Sequence, residues 1–255
     1  MNIKLDEIIF EAGTLPLIPL QNATDYQENI PYMVKYVNDT MSAKSSIYSL
    51  IGNNPLQIIF DNHQNHASLM STVFFVQNYE MLARTIPWVY KVYFAHNFSY
   101  EYFLIELNTW IDALDKYLRA DRIKEIKAVY HWLIKNHKNM IDISKTDFEM
   151  KSSVGKHWLE LNNKFLTAIL EGNHRNCLKI AESFMYKEKD IESFYLNILQ
   201  PVMYEVGMLW EKGIISVAQE HLSSAIVSRV MATTSILDIN MTKIGKKAII
   251  TSAPN

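Results

Sequence analysis

Apolar residues recur along almost the whole chain at the three-to-four-residue spacing of one helix face, and that periodicity restricts the fold to packed helices. It is clearest after Ser99, where Phe103, Leu107, Trp110, Leu114 and Leu118 hold the interval. Breakers are scarce: seven glycines and seven prolines in 255 residues leave long segments uninterrupted. Asn54-Pro55 reads as a cap followed by proline at the first helical position, opening a helix that extends to about Ala83. Thr85-Ile86-Pro87 reads as a restart through Trp88, Tyr90 and Tyr93. Ser99 is the cap expected for the next helix, and Asp121 for one ending near Ile141.

A polar stretch, Asp142-Ile143-Ser144-Lys145-Thr146-Asp147, then interrupts the pattern, and Thr146 with Glu149 has capping-box spacing. A domain boundary is expected here. The next helix, through Trp158, Leu161, Phe165 and Ile169, ends at Gly172, a residue suited to the left-handed position past a helix. Asn173 and Asp190 are the following caps, Pro201 forces a kink or restart, and Gly213 stops the helix. Ser216 and Gln219 form a second box, opening a helix to about Asn240. After Gly245, Lys246–Thr251 is a short β-branched run of strand type that needs a sheet to pair with. The expected fold class is therefore all-α. A helical domain spans 1–145, a four-helix bundle spans 146–242, and 243–255 is a linker and first strand of an α/β domain that the sequence does not contain.

Composition narrows function mainly by exclusion. With 49% apolar and 20% charged residues the chain is a folded one. A formal charge of −2 argues against a basic nucleic-acid surface, and no helix-turn-helix with a basic recognition helix is found. The single cysteine, Cys177, excludes an internal disulfide and fits a reducing cytoplasm. MNIKLDEIIFEAG carries no signal-peptide core, and no window approaches the ~20 apolar residues of a membrane span. The expectation is a cytoplasmic protein without contact with a membrane. No nucleophile–base pair, phosphate loop or paired acids point to self-contained catalysis.

Residue identity and spacing point to a ligand in one place, Leu196–Val227. Trp210 closes one helix, Lys212-Gly213-Ile214-Ile215 forms a turn, and the pair Glu220-His221 lies early on the next helix. His221 shares a helix face with Val217, Ala225 and Ser228. Ser223-Ser224-Ala225 is a run of small side chains that leaves clearance for a broad flat ligand. A planar macrocycle needs such ground: aromatic area, small residues and a few orienting polar groups. An imidazole there can ligate a metal or donate a hydrogen bond, and Glu220 can orient it or bind a ligand group. The plain alternative is a core tryptophan and a satisfied histidine near a helix start.

These residues resemble the helical cap module of cobalamin-binding proteins, of the kind that caps methionine synthase. The Trp-x9-Glu-His spacing is most similar to the adenosylcobalamin-dependent light sensors, and Tyr204-Glu205-Val206-Gly207 matches the run into the tryptophan. The resemblance implies a bundle covering the upper axial face of a corrinoid, adenosylcobalamin or methylcobalamin. It implies that Trp210 lies against the upper group, with Glu220 and His221 flanking it and Val217 and Ser224 lining the same ground. His221 becomes a possible upper cobalt ligand once the cobalt–carbon bond has broken in light, and Gly207 permits close helix contact. The family's lower-ligand loop, Asp-x-His-x-x-Gly, would follow the strand at Lys247–Thr251 and is not in this sequence. Asp61-Asn62-His63-Gln64-Asn65-His66 is a chance lookalike in a predicted helix. The resemblance thus implies a cap cut at the start of the corrinoid-binding domain, in a sensory or regulatory protein. The corrinoid-carrying component of a methyltransferase and a helical interaction module without corrin are the alternatives.

The first half is dense in aromatics between Ile58 and Trp110. His63 and His66, three apart, share a helix face, but no third ligand completes a metal site. A tetrapyrrole pocket of His96, Trp88, Tyr93 and Phe98 is conceivable. The stripe of Trp88, Tyr100, Tyr102, Phe103 and Trp110 is expected to be core. Such a half suits a sensory module, or one that contacts a protein partner or a second copy of the chain.

Overall fold

The computed structural model describes residues 3–146, 155, 157–188 and 191–237, and every regular element among them is helical. The all-α class is as expected. The strand at 246–251, Glu149, Asp190 and the helix end beyond Leu237 lie outside the described residues. The chain divides into two compact units, Met1–Asp147 and Phe148–Pro254.

The first unit contains α1 (Ile3–Ala12), α2 (Leu20–Ser42), α3 (Ile47–Leu50), α4 (Leu56–Val76), α5 (Tyr79–Ala95), α6 (Glu101–Tyr117), α7 (Lys124–Lys135) and α8 (His137–Ser144). The long α2 packs along α4 and α6, while α5 packs on α1 and α8. The stripe of α6 does what its period requires: Phe103, Leu107, Trp110 and Leu114 are all buried, as is Leu118 just past its end. Ser99 caps this helix, its Oγ accepting the Glu101 N–H at 3.2 Å.

Three expected boundaries move, each for a local reason. The α4 helix stops at Val76 because Gln77 turns left-handed (φ 56°) and Asn78 starts α5 by accepting the Met81 N–H at 2.9 Å. Pro87 therefore lies inside α5 rather than opening a helix, and Thr85 donates to the Met81 carbonyl at 2.8 Å. Asn54 does not cap α4. Its amide donates to the Ile51 and His96 carbonyls at 2.6 and 2.8 Å, tying two loops together. Asp121 is taken by the Arg119 guanidinium, and the helix expected to reach Ile141 breaks at Asn136, whose amide turns back to the Glu11 carboxylate at 3.0 Å. At Gly52 (φ 61°) a side chain would collide with the Asn97 backbone, so glycine is required there.

The second unit contains α9 (Leu159–Leu170), α10 (His174–Glu188), α11 (Ile191–Phe194) leading into a π-helical turn Tyr195–Leu199, α12 (Gln200–Glu211) and α13 (Val217–Leu237). Helix α13 packs on α9, α10 and α12 around Phe165, Ile169, Phe184, Phe194, Val206 and Val230. Two glycines end helices as the sequence suggests. Gly172 and Gly213 both have φ 68°, and the pairs Gly172 N–H to Ile169, Asn173 N–H to Ala168, Gly213 N–H to Trp210 and Ile214 N–H to Leu209 close Schellman motifs. Asn173 caps α10 through the Asn176 N–H at 3.1 Å. Ser216 and Gln219 bond each other's backbone N–H at 2.9 and 3.2 Å.

At Pro201 the backbone stays helical: Leu199 and Gln200 keep right-handed helical angles, and the change is in the turn before it. Proline cannot bond the carbonyl four residues back, Asn197, and the preceding turn widens to π. The buried Asn162 amide takes that carbonyl at 2.8 Å. One side chain on α9 thereby satisfies the acceptor that proline orphans.

Candidate functional site

Trp210 stands on the last turn of α12 and Glu220-His221 on the first turns of α13, either side of the Schellman turn. Trp210 is half-buried against the core of its unit. Val217 is 38% exposed, and Ala225 and Ser228 are exposed with it, so the stripe that includes His221 forms the outer face of α13. The inner face consists of Ser223, Ile226, Val227 and Val230.

Glu220 is the polar centre of this ground. Its Oε2 lies 2.6 Å from His221 Nδ1, and its Oε1 accepts the Ser224 hydroxyl at 2.9 Å. The carboxylate is sheltered, with a quarter of its side chain exposed, whereas three-quarters of the His221 side chain is exposed. An ionised carboxylate only accepts, so His221 Nδ1 carries the proton in this contact and Nε2 remains on the far edge of the ring. A carboxylate behind one nitrogen of an imidazole whose other nitrogen is open is the arrangement of metal-binding histidines.

Gly207 was expected to allow close helix contact. In the structure a Cβ at this position would meet nothing within 4 Å, so the glycine opens the surface of α12 and brings no helix nearer. Tyr204, half-exposed, stands one turn before it. The sequence thus places Trp210, Val217, Glu220, His221 and Ser224 on one unit, and hydrogen bonds join three of them.

The histidines of the first unit have a different fate. His63 donates from Nδ1 to Asn38 Oδ1 at 2.5 Å and receives the Tyr102 hydroxyl on Nε2 at 3.0 Å. His66 Nε2 lies 3.2 Å from the Tyr130 hydroxyl, which itself meets the Tyr26 hydroxyl at 3.0 Å. Burial lowers their pKa values to about 4 and about 3, with His63 adding to the effect on His66. Among the described residues no group of three metal-ligating side chains exists. Trp88 is 45% exposed while Phe98 is buried, so the conceivable tetrapyrrole pocket around His96 is not assembled and Trp88 falls outside the core stripe.

The sequence reading missed Glu106. It is 6% exposed and receives the Trp110 indole N–H at 3.2 Å, and burial pushes its pKa up to about 7 against that hydrogen bond. The signal was present: Glu106 sits between Phe103, Leu107 and Trp110 on the apolar face, where a charge is out of place.

Residues 161–234 match a family described as a B12 binding domain. The matched span runs from Leu161 in α9 to Thr234 in α13, so it takes in Trp210, Val217, Glu220, His221 and Ser224. It supports a cobalamin-binding family and a corrinoid-binding role for the second unit. No curated protein and no solved structure gives a significant match. Among the described residues no helix is long and apolar enough to cross a membrane.

Proposed function

We propose that this chain is a corrinoid-binding sensory or regulatory protein whose second unit covers the upper axial face of the cofactor. The observation that carries the reading is the coincidence of the B12 binding domain match with an exposed imidazole backed by a carboxylate. The residues present suit a corrin. Gly207 leaves open ground on α12, Ala225 adds little bulk to the outer face of α13, and Trp210 offers aromatic area beside them.

A bound corrinoid supplies a cobalt centre whose upper axial ligand can be exchanged. In the proposed arrangement Trp210 shields that ligand from water, Val217 and Ser224 border it, and His221 offers Nε2 to the same space. Light sensitivity is the chemistry such a cofactor would supply, and light is the proposed input. The first unit, Met1–Asp147, is the proposed sensory or dimerising part that passes the change to a protein partner or a second copy.

The test is an absorption spectrum of the purified chain after dark incubation with adenosylcobalamin and desalting, repeated after green light. Retained corrin with a light-driven change supports the sensor. Retention unchanged by light leaves a binding protein without photochemistry, and no retention of any cobalamin by a version extended through the expected α/β domain leaves a helical interaction module. Trp210→Ala is expected to weaken retention of adenosylcobalamin more than hydroxocobalamin, because only the former has a bulky upper group to cover.

A further inference from the structure

We propose that Ser224 and Glu220 are positioning residues that fix the tautomer of His221, holding Nδ1 protonated so that Nε2 is the ring atom presented to the corrinoid. The role rests on the function proposed above, although the relay itself exists in the protein without cofactor.

The hydroxyls of α13 reveal the relay by their exception. Ser223, Ser228, Thr233 and Thr234 each donate to the carbonyl four residues back, at 2.8, 3.0, 3.0 and 3.0 Å. This is the usual fate of a hydroxyl inside a helix. Ser224 alone among these donates to a carboxylate, Glu220 Oε1 one turn earlier at 2.9 Å, whereas Thr234 besides its carbonyl meets only the Tyr195 hydroxyl at 3.1 Å. The i, i+4 spacing makes that contact natural.

His221 follows Glu220 directly, and neighbouring side chains on a helix leave it about 100° apart. The ring reaches the carboxylate through Nδ1, its nearer nitrogen, at 2.6 Å. Each Glu220 oxygen thus has one partner, and through Oε2 the carboxylate acts on the ring. A neutral imidazole protonated at Nδ1 has its lone pair on Nε2, the atom that a metal or a donor group takes. Ser224 limits the rotamers of Glu220, so less freedom is lost when the ring is used. The small side chain at position 224 thus has a polar task besides giving clearance.

The experiment is a long-range 1H–15N NMR measurement of the His221 ring in the cofactor-free chain, at a pH where the ring is neutral. The resonances are assigned by their loss in His221→Ala. The expected result is the Nδ1–H tautomer in the native chain, a shift toward Nε2–H in Glu220→Ala, and an intermediate population in Ser224→Ala. Unchanged melting temperatures show that both variants are folded. An Nε2–H ring in the native chain, or a ring indifferent to Glu220→Ala, overturns the relay whether or not cobalamin is retained. A tautomer that follows Glu220, with no cobalamin retained even by a version extended through the expected α/β domain, upholds the relay and overturns the proposed function.

Discussion

In the first unit His63 is sealed and His66 is partly buried among Tyr102, Tyr130 and Trp110, whereas in the second His221 stands at the surface with one nitrogen held by Glu220. The same side chain serves two ends. Buried and bonded at both ring nitrogens, His63 joins helices and has nothing left to offer a ligand. Held at one nitrogen and open at the other, His221 has little to do with packing and retains its chemistry. The carboxylates divide likewise: Glu106 is buried with an indole as its donor, and Glu220 is sheltered at the edge of an open face. A polar group enclosed on all sides stabilises a fold, and one enclosed on a single side is prepared for a partner.

The strongest way to break this contrast is Trp110→Ala. Removing a fully buried indole should cost about 3–5 kcal/mol and leave the Glu106 carboxyl without its donor. Thermal unfolding should show a large loss, with hydrogen exchange rising in α2, α4 and α6. If the second unit's amides lose protection to the same degree, the division of tasks fails.

The next effect is a pH dependence with two opposed limbs. The folded pKa of Glu106, about 7, lies above its ordinary value of 4.5. Its contribution is therefore fully present below pH 4.5 and lost as pH rises through about 7. The folded pKa values of His63 and His66, about 4 and about 3, lie below the ordinary 6.5. Their contribution is full above 6.5 and is lost as pH falls toward those values. The windows overlap between pH 4.5 and 6.5, where two histidines outweigh one carboxyl. Melting temperature should thus rise with pH to a maximum near 6.5, give back a little by about 7 and then level off. Glu106→Gln should steepen the rise between pH 4.5 and 6.5 and abolish the small fall to about 7, and a variant with the native slope there would remove Glu106 as a contributor.

Gly207→Ala sharpens the contrast by giving stability and binding opposite signs. An alanine meets nothing within 4 Å and favours the helix, so stability should rise by about 0.5–1 kcal/mol. Cobalamin retention should drop, because the added methyl occupies the open ground on α12. A gain in both would take Gly207 out of the binding face. The smallest stability effect belongs to His221→Ala, within about 0.5 kcal/mol because the ring is largely exposed. Its consequence should instead appear in the spectrum of the light-exposed cobalamin complex. A melting shift as large as that of a core substitution would make His221 a packing residue.

Much of this could be read from the sequence where one residue decides a local outcome. Gly172, Gly213, Asn173 and the Ser216–Gln219 box end and begin helices as their chemistry dictates, while Pro201 is met by a π turn in a helix that runs on. The first unit was harder to read because several residues compete for each boundary. Asn78 outdid Pro87 as a helix start, and Asn54 and Asn136 spent their amides on distant loops and a carboxylate. Those partners are 42 and 125 residues away, beyond the reach of any local pattern. The His63–Tyr102 bond, 39 residues apart, was hidden for the same reason, whereas Glu106 was legible as a charge on the apolar face of α6. In the site, spacing put Glu220, His221 and Ser224 within a turn of one another, but only side-chain geometry shows which bonds which. The open space at Gly207 likewise follows from what the neighbouring helices leave uncovered.

The most direct test of the account is a map of backbone amide shifts in the 15N-labelled chain titrated with cobalamin in the dark. Shifts concentrated at Gly207–Trp210 and Val217–Ser224 are the predicted result. Shifts centred instead on Gly172, His174 and Arg229, or confined to the first unit, would contradict it.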